Sequence, residues 1–164
     1  MNTRSLTTLI AATFLLATGC AHRTTAKTKA PTFTASTGSI QLSDDIAHVC
    51  MIQFNDVDKA PKFDFDKSGL VYADRAVLDQ VATCITTGPL KGRALTLIGH
   101  ADPRGEGEYN MVLGAQRAQS AWAYLTQHGV DKGKLSSSSR GKLDATGTDS
   151  ESWEKDRRVD ISLR

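Results

Sequence analysis

Asp102 and Arg117 stand fifteen residues apart in this 164-residue chain, and their types and setting suit ligand chemistry. Asp102 follows the apolar run Ala94–Ile98 (ALTLI) and opens a polar stretch punctuated by Gly105 and Gly107. Arg117 lies early in a segment where Ala118, Ala121, Trp122 and Leu125 recur at helical spacing, up to a stop at Gly129. A strand that opens through a glycine-rich loop onto a helix N-terminus presents free backbone N–H groups and often receives an anion. An arginine there can fork onto a carboxylate while an aspartate accepts from an ammonium group. The pair describes either a site for a small zwitterion or an internal Asp102–Arg117 ion pair tying loop to helix.

Other residues around this stretch each carry two readings. His100, with Asp102, Glu106 and Glu108 nearby, either shapes the loop by hydrogen bonding or joins a metal site, and His-x-Asp alone specifies no metal. Arg104 either meets a second carboxylate or is a solvated charge. Asn110 either caps the following helix through its side-chain oxygen or touches ligand. Asp66 either lines the same groove or is a plain strand-end carboxylate. Catalytic patterns are missing: the chain holds no G-x-S-x-G elbow, no H-E-x-x-H and no phosphate-binding loop. Asp64 and Asp66, about 7 Å apart on one face of a strand, specify no glycosidase. We expect a non-enzyme without cofactor or metal.

The elements that must position these residues follow in chain order. Arg4 and the apolar stretch Leu6–Leu16 read as a targeting segment over residues 1–19, ending in Ala17-Thr18-Gly19-Cys20, similar to a bacterial lipobox. Cys20 would then carry lipid, with an ordinary cleaved signal peptide as the rival reading. Ala21 after the cysteine favours the outer membrane by analogy with enteric sorting rules. Residues 20–39, rich in Thr, Ala, Ser and Lys, have little to bury and read as a tether reaching at most about 60 Å. A globular domain then occupies residues 40–164. In Ile40–Phe54, either Asp44 or Asp45 caps a short helix or the segment runs extended. Lys62–Asp66 (KFDFD) alternates like a strand with Phe63 and Phe65 on one face. Tyr72–Thr87 is expected to be a helix, Ala94–Ile98 a strand buried on both faces, and Thr148–Asp156 a short helix or turn. Val159, Ile161 and Leu163 alternate as a half-exposed last strand. The serines at 136–139 read as a linker, or as a weak strand from Leu135. An exported chain permits a Cys50–Cys84 disulfide, the alternative being two buried thiols. Net charge is +2 with both signs interspersed, which gives no nucleic-acid surface.

The motifs GHAD at 99–102, Gly105, EYN at 108–110, LG at 113–114 and RA at 117–118 resemble the signature of OmpA-like C-terminal domains. Within that family the likeness leans toward the peptidoglycan-associated lipoproteins (Pal). FDFD at 63–66 is similar to the family's first strand, and Asp156-Arg157-Arg158-Val159 to its NRRV, with Asp for Asn. The resemblance also supports a strand at 135–139. It implies a single α/β domain of order β-α-β-α-β-β, with two helices packed on one face of a mixed sheet. Asp102 and Arg117 would clamp the diaminopimelate residue of a peptidoglycan stem peptide, and Arg158 would support the ligand loop. Where many members carry an aromatic, this chain has Ser139-Arg140-Gly141, so any stacking from there is absent.

The expected protein is thus an outer-membrane lipoprotein facing the periplasm, held to lipid through acylated Cys20 and to the wall through Asp102 and Arg117. The alternative is a protein-interaction module of a Tol-Pal-type envelope complex, docking a TolB-like periplasmic partner.

Overall fold

The structure is a computed structural model that describes residues 30–54, 60 and 62–164. The expected targeting segment, Cys20 and the first half of the tether lie outside the described residues. Among those described, no helix is long and apolar enough to cross a membrane.

Among the described residues, five strands form one mixed sheet in the order β1-β2-β5-β3-β4. They are β1 (Phe33–Thr37), β2 (Ile40–Ser43), β3 (Leu95–His100), β4 (Leu135–Gly141) and β5 (Val159–Leu163). β1 and β2 form an antiparallel hairpin, β2 runs parallel to β5, β5 antiparallel to β3, and β3 parallel to β4. The helices are α1 (Asp44–Val49), α2 (Tyr72–Thr86), α3 (Gly107–Gln127) and α4 (Ser150–Asp156). α2 and α3 back one face of the sheet, as expected. Val77, Leu78, Val81 and Ile85 of α2 and Ala118, Ala121 and Leu125 of α3 join Ile40, Leu42, Leu95, Leu97, Val159 and Ile161 in a single core.

Several expectations are corrected in detail. Residues 33–39 are part of the fold rather than of a tether, because Phe33–Thr37 pairs with β2 through a turn at Gly38, whose φ is +59°. Thr and Phe suit an extended edge even in a stretch with little to bury. The segment after β2 is helical as α1, with Ser43 rather than Asp44 or Asp45 at its N-cap. Lys62–Asp66 is not a strand: the place beside β5 is taken by β2, and Asp66 adopts φ +60°. Phe63 is buried, but Phe65 is 60% exposed. β5 is central rather than half-exposed, flanked on both sides by strands, and even Asp160 and Ser162 are buried. β3 carries two apolar layers less completely than expected, since Thr96 and Ile98, on the face away from α2 and α3, are only partly buried. The serine run is β4.

Two contacts lock the frame. Asp74, wholly buried in the first turn of α2, accepts from the Ser39 N–H at 2.7 Å and the Val71 N–H at 3.1 Å, tying the hairpin to the helix. Burial raises its carboxyl, and those two N–H groups partly offset the rise. Cys50, just after α1, forms a disulfide with Cys84 of α2. The bridge closes a loop of sequence separation 34. Replacing both cysteines with serine is expected to cost about 3 kcal/mol in the chain-entropy account. A urea melt would show this as a lower midpoint, with the fold retained by circular dichroism.

Candidate functional site

β3 and α3 approach so closely at Gly99 and Gly114 that a Cβ on Gly99 would lie 1.8 Å from the Gly114 carbonyl oxygen. That contact sets the helix against the strand end and delivers Arg117 beneath the loop at 101–106. Arg117 is fully buried. Its Nε donates to the Lys67 carbonyl at 2.9 Å, Nη1 to the His100 carbonyl at 2.8 Å and Nη2 to the Asp64 carbonyl at 3.3 Å. The KFDFD segment has therefore exchanged sheet hydrogen bonds for arginine ones. Burial first, and then the neighbouring Arg157, lower the Arg117 pKa to about 10, so it is cationic at neutral pH. Three of the five N–H groups of a guanidinium are used here, and the other two make no hydrogen bond within the described residues.

Asp102 is also buried, yet it does not bond Arg117 directly; the internal ion pair takes another form. Its Oδ1 accepts from the Arg104 N–H at 3.2 Å and Nε at 3.1 Å. Its Oδ2 accepts from Arg104 Nη2 at 2.7 Å and Arg157 Nη1 at 3.3 Å. Four donors fill the roughly four acceptor positions of a carboxylate. Arg104 is paired although its side chain is 37% exposed: its guanidinium also lies against the rings of Phe65 and Trp153, at 4.2 and 4.3 Å from their centroids. Burial alone would raise the Asp102 carboxyl, but the Arg104 hydrogen bonds, with help from Arg157, hold it below the usual carboxylate range. A depressed native value means its stabilising contribution is present above the unfolded pKa and is lost as pH falls through the native one. A carbon-detected NMR titration should find Asp102 still ionised at a pH where exposed aspartates are half protonated.

The remaining expected residues fall into place unevenly. The second arginine of the loop support is Arg157, not Arg158. Residues 157, 159 and 161 share the helix-facing side, so Arg157 reaches Asp102 and donates to the Phe63 carbonyl at 2.6 Å. Arg158, on the opposite side with Asp160, pairs with that residue at 3.0 Å. Asn110 does not cap the helix, because α3 already begins at Gly107 with Glu106 as N-cap. Its side-chain amide donates instead to the Arg104 carbonyl at 2.7 Å, bracing the loop. His100 holds the loop through its backbone, donating to the Arg158 carbonyl and accepting from Arg117. Its buried ring has Nε2 3.0 Å from Asp160 and Nδ1 3.5 Å from Asp144, though neither contact has hydrogen-bond geometry. The described residues contain no cluster of three or more His, Cys, Asp or Glu placed to hold a metal. Asp66 is exposed and accepts from the Tyr109 hydroxyl. Nothing in the sequence marks Phe65 or Trp153 as site residues, and for Arg157 the signal is its even spacing to Val159 and Ile161.

A mixed sheet backed by two helices, with a buried carboxylate at the end of β3 bonded by two arginines and a third arginine buried nearby, defines a small α/β domain. The OmpA family model matches residues 62–159, and the chain belongs to the OmpA family. It is 39% identical over 101 residues to the peptidoglycan-associated lipoprotein of Pseudomonas aeruginosa, covering 60% of this chain and 58% of that one. It is 37% identical over 103 residues to outer membrane protein A of Bordetella avium, covering 62% and 52%. The chain thus spans little more than half the length of these curated relatives. Among solved structures it is similar to the peptidoglycan-associated lipoprotein from Burkholderia pseudomallei, with TM-score 0.58, 34% identity, and 62% of this chain and 86% of that one covered.

Proposed function

We propose that the chain binds peptidoglycan non-covalently through the diaminopimelate residue of a stem peptide and, with lipid on Cys20, tethers the outer membrane to the cell wall. The observation that carries this reading is Arg117: a buried guanidinium held by three carbonyls, with two N–H groups left for a carboxylate. Diaminopimelate offers an ammonium and a carboxylate on one carbon, and a lysine-type peptide lacks that carboxylate. The names of the relatives from Pseudomonas aeruginosa and Burkholderia pseudomallei, both peptidoglycan-associated lipoproteins, support association with peptidoglycan and a lipid anchor. Because Asp102 is filled, the incoming ammonium must displace Arg104, which then turns to the ligand's second carboxylate.

Titration calorimetry of the full chain in detergent, with diaminopimelate-type and lysine-type muropeptides, tests this. Binding of the first and not the second is expected, and binding of both equally, or of neither, would overturn the reading. A second reading, a docking face for a TolB-like periplasmic protein, is favoured by the apolar rim of the same site. Phe65, Tyr109 and Met111 are 60%, 53% and 40% exposed around it. A partner released by added muropeptide would place both activities on one surface.

A further inference from the structure

The two edges of the sheet differ. β1 is short, and its pairing with β2 shifts register between Phe33 and Ala35. Bulges of that kind blunt an edge against further pairing. β4 shifts register only at the far end, between Ser139 and Gly141. It runs in unbroken register with β3 from Leu135 to Ser139, and no strand lies beyond it among the described residues. That stretch contains no proline and no charged side chain, only Leu135 and four serines. The Ser136 and Ser139 hydroxyls turn toward β3, to the carbonyls of Leu95 and Gly99, leaving Ser137 and Ser138 exposed. Beside them is an open groove lined by Val112, Ala115, Gln116 and Gln119 of α3, none of them charged. Val112 is 56% exposed.

Charge appears at the two ends of this edge and has one dominant sign. Lys132 and Lys134 stand exposed before it, and Arg140 and Lys142 follow it. Arg140 is paired with Asp144, and Lys142 donates to the Gly105 carbonyl. Over residues 131–144, four cations face two carboxylates. A second copy of this chain is a poor occupant. Two-fold antiparallel pairing of β4 with itself would bring Lys132 and Lys134, in the 3-10 turn just before the strand, toward Arg140 and Lys142 of the other copy, and such like-charge juxtaposition is unfavourable.

We infer that the free edge of β4 receives an extended segment of another protein as a sixth strand, one with small or β-branched residues at its centre and acidic residues at its ends. Main-chain hydrogen bonds to β4 hold the segment, alternate side chains enter the groove beside Val112, and the flanking lysines select acidic ends. The centre of this surface, at Ser137 and Ser138, is not part of the Asp102–Arg117 site, although its Lys142 end adjoins the loop at 101–106, and its peptide test is read separately from the muropeptide titration.

The test uses the full chain in detergent with a labelled peptide, Glu-Glu-Thr-Val-Thr-Val-Thr-Glu-Glu, and its lysine-ended counterpart. Fluorescence anisotropy is expected to show binding of the acidic peptide alone, weakened about tenfold by the exposed-site variant Lys132→Glu/Lys134→Glu. Hydrogen exchange is expected to slow at the amides of residues 135–140. Absence of binding, equal binding of the lysine-ended peptide, indifference to the double charge reversal, or protection confined to other elements would each overturn the proposal. Self-association that protects β4 in the free chain would do so as well.

Discussion

Arg117→Ala is expected to lower stability by about 4 kcal/mol, and to do so whether or not a ligand is present. The side chain is fully buried, and its loss leaves the carbonyls of Asp64, His100 and Lys67 without a charged donor while opening a void above Phe63. Two of those carbonyls belong to the segment at 64–67 and the third to the end of β3, so that segment and the loop that follows β3 lose their common tie. Weak muropeptide binding by this variant is therefore no proof of a direct ligand contact. Arg117→Lys separates the two roles: it keeps a cation but only a point charge, where the site uses a fork. Urea denaturation should rank wild type above lysine and lysine above alanine. Calorimetry on folded Arg117→Lys should show diaminopimelate affinity reduced at least about tenfold, consistent with the loss of one charge-assisted hydrogen bond. Unchanged affinity in the lysine variant would remove Arg117 from the ligand.

Gly99→Ala is expected to be as damaging, about 4 kcal/mol or more, by the opposite mechanism of forced expansion. The new methyl would meet the backbone of Gly114 at 1.8 and 2.7 Å, and no rotamer can relieve a backbone clash. β3 and α3 would have to separate, carrying Arg117 away from the His100 carbonyl. Gly114→Ala meets the Ser139 hydroxyl at 2.3 Å and the Gly99 carbonyl oxygen at 2.8 Å. The hydroxyl can rotate, so this variant should cost less. Thermal unfolding of the two variants checks the order, and equal melting temperatures would show that the interface yields more readily than its geometry indicates.

The long helices were legible because a helix that buries one stripe must repeat every three or four residues, as Val77, Val81 and Ile85 do. Short extended segments were not. KFDFD alternates, yet its carbonyls go to Arg117 and Arg157, and no local pattern reports that a distant arginine will compete with a neighbouring strand. For the same reason Phe33–Thr37 looked unstructured: its partner β2 lies close by, but its side chains carry little apolar signal. The site itself was legible as a motif, with Asp102 and Arg117 brought to one corner of the fold. Their bonding was not, because the four donors on Asp102 come from positions 104 and 157, and only the folded sheet brings the second of these within reach.

The placement of β5 bears on how the chain is made. Val159–Leu163 is the last strand in sequence, yet it lies between β2 and β3 and bonds to both. The N-terminal hairpin and the β3–β4 pair have no strand in common until it arrives. A polypeptide emerging from the ribosome in N-to-C order can form helices and hairpins early, but these long-range pairings come late and slow the reaction. Sheet closure thus waits for β5, and until that strand is made the N-terminal hairpin and the β3–β4 pair remain two separate pieces of an unfinished sheet.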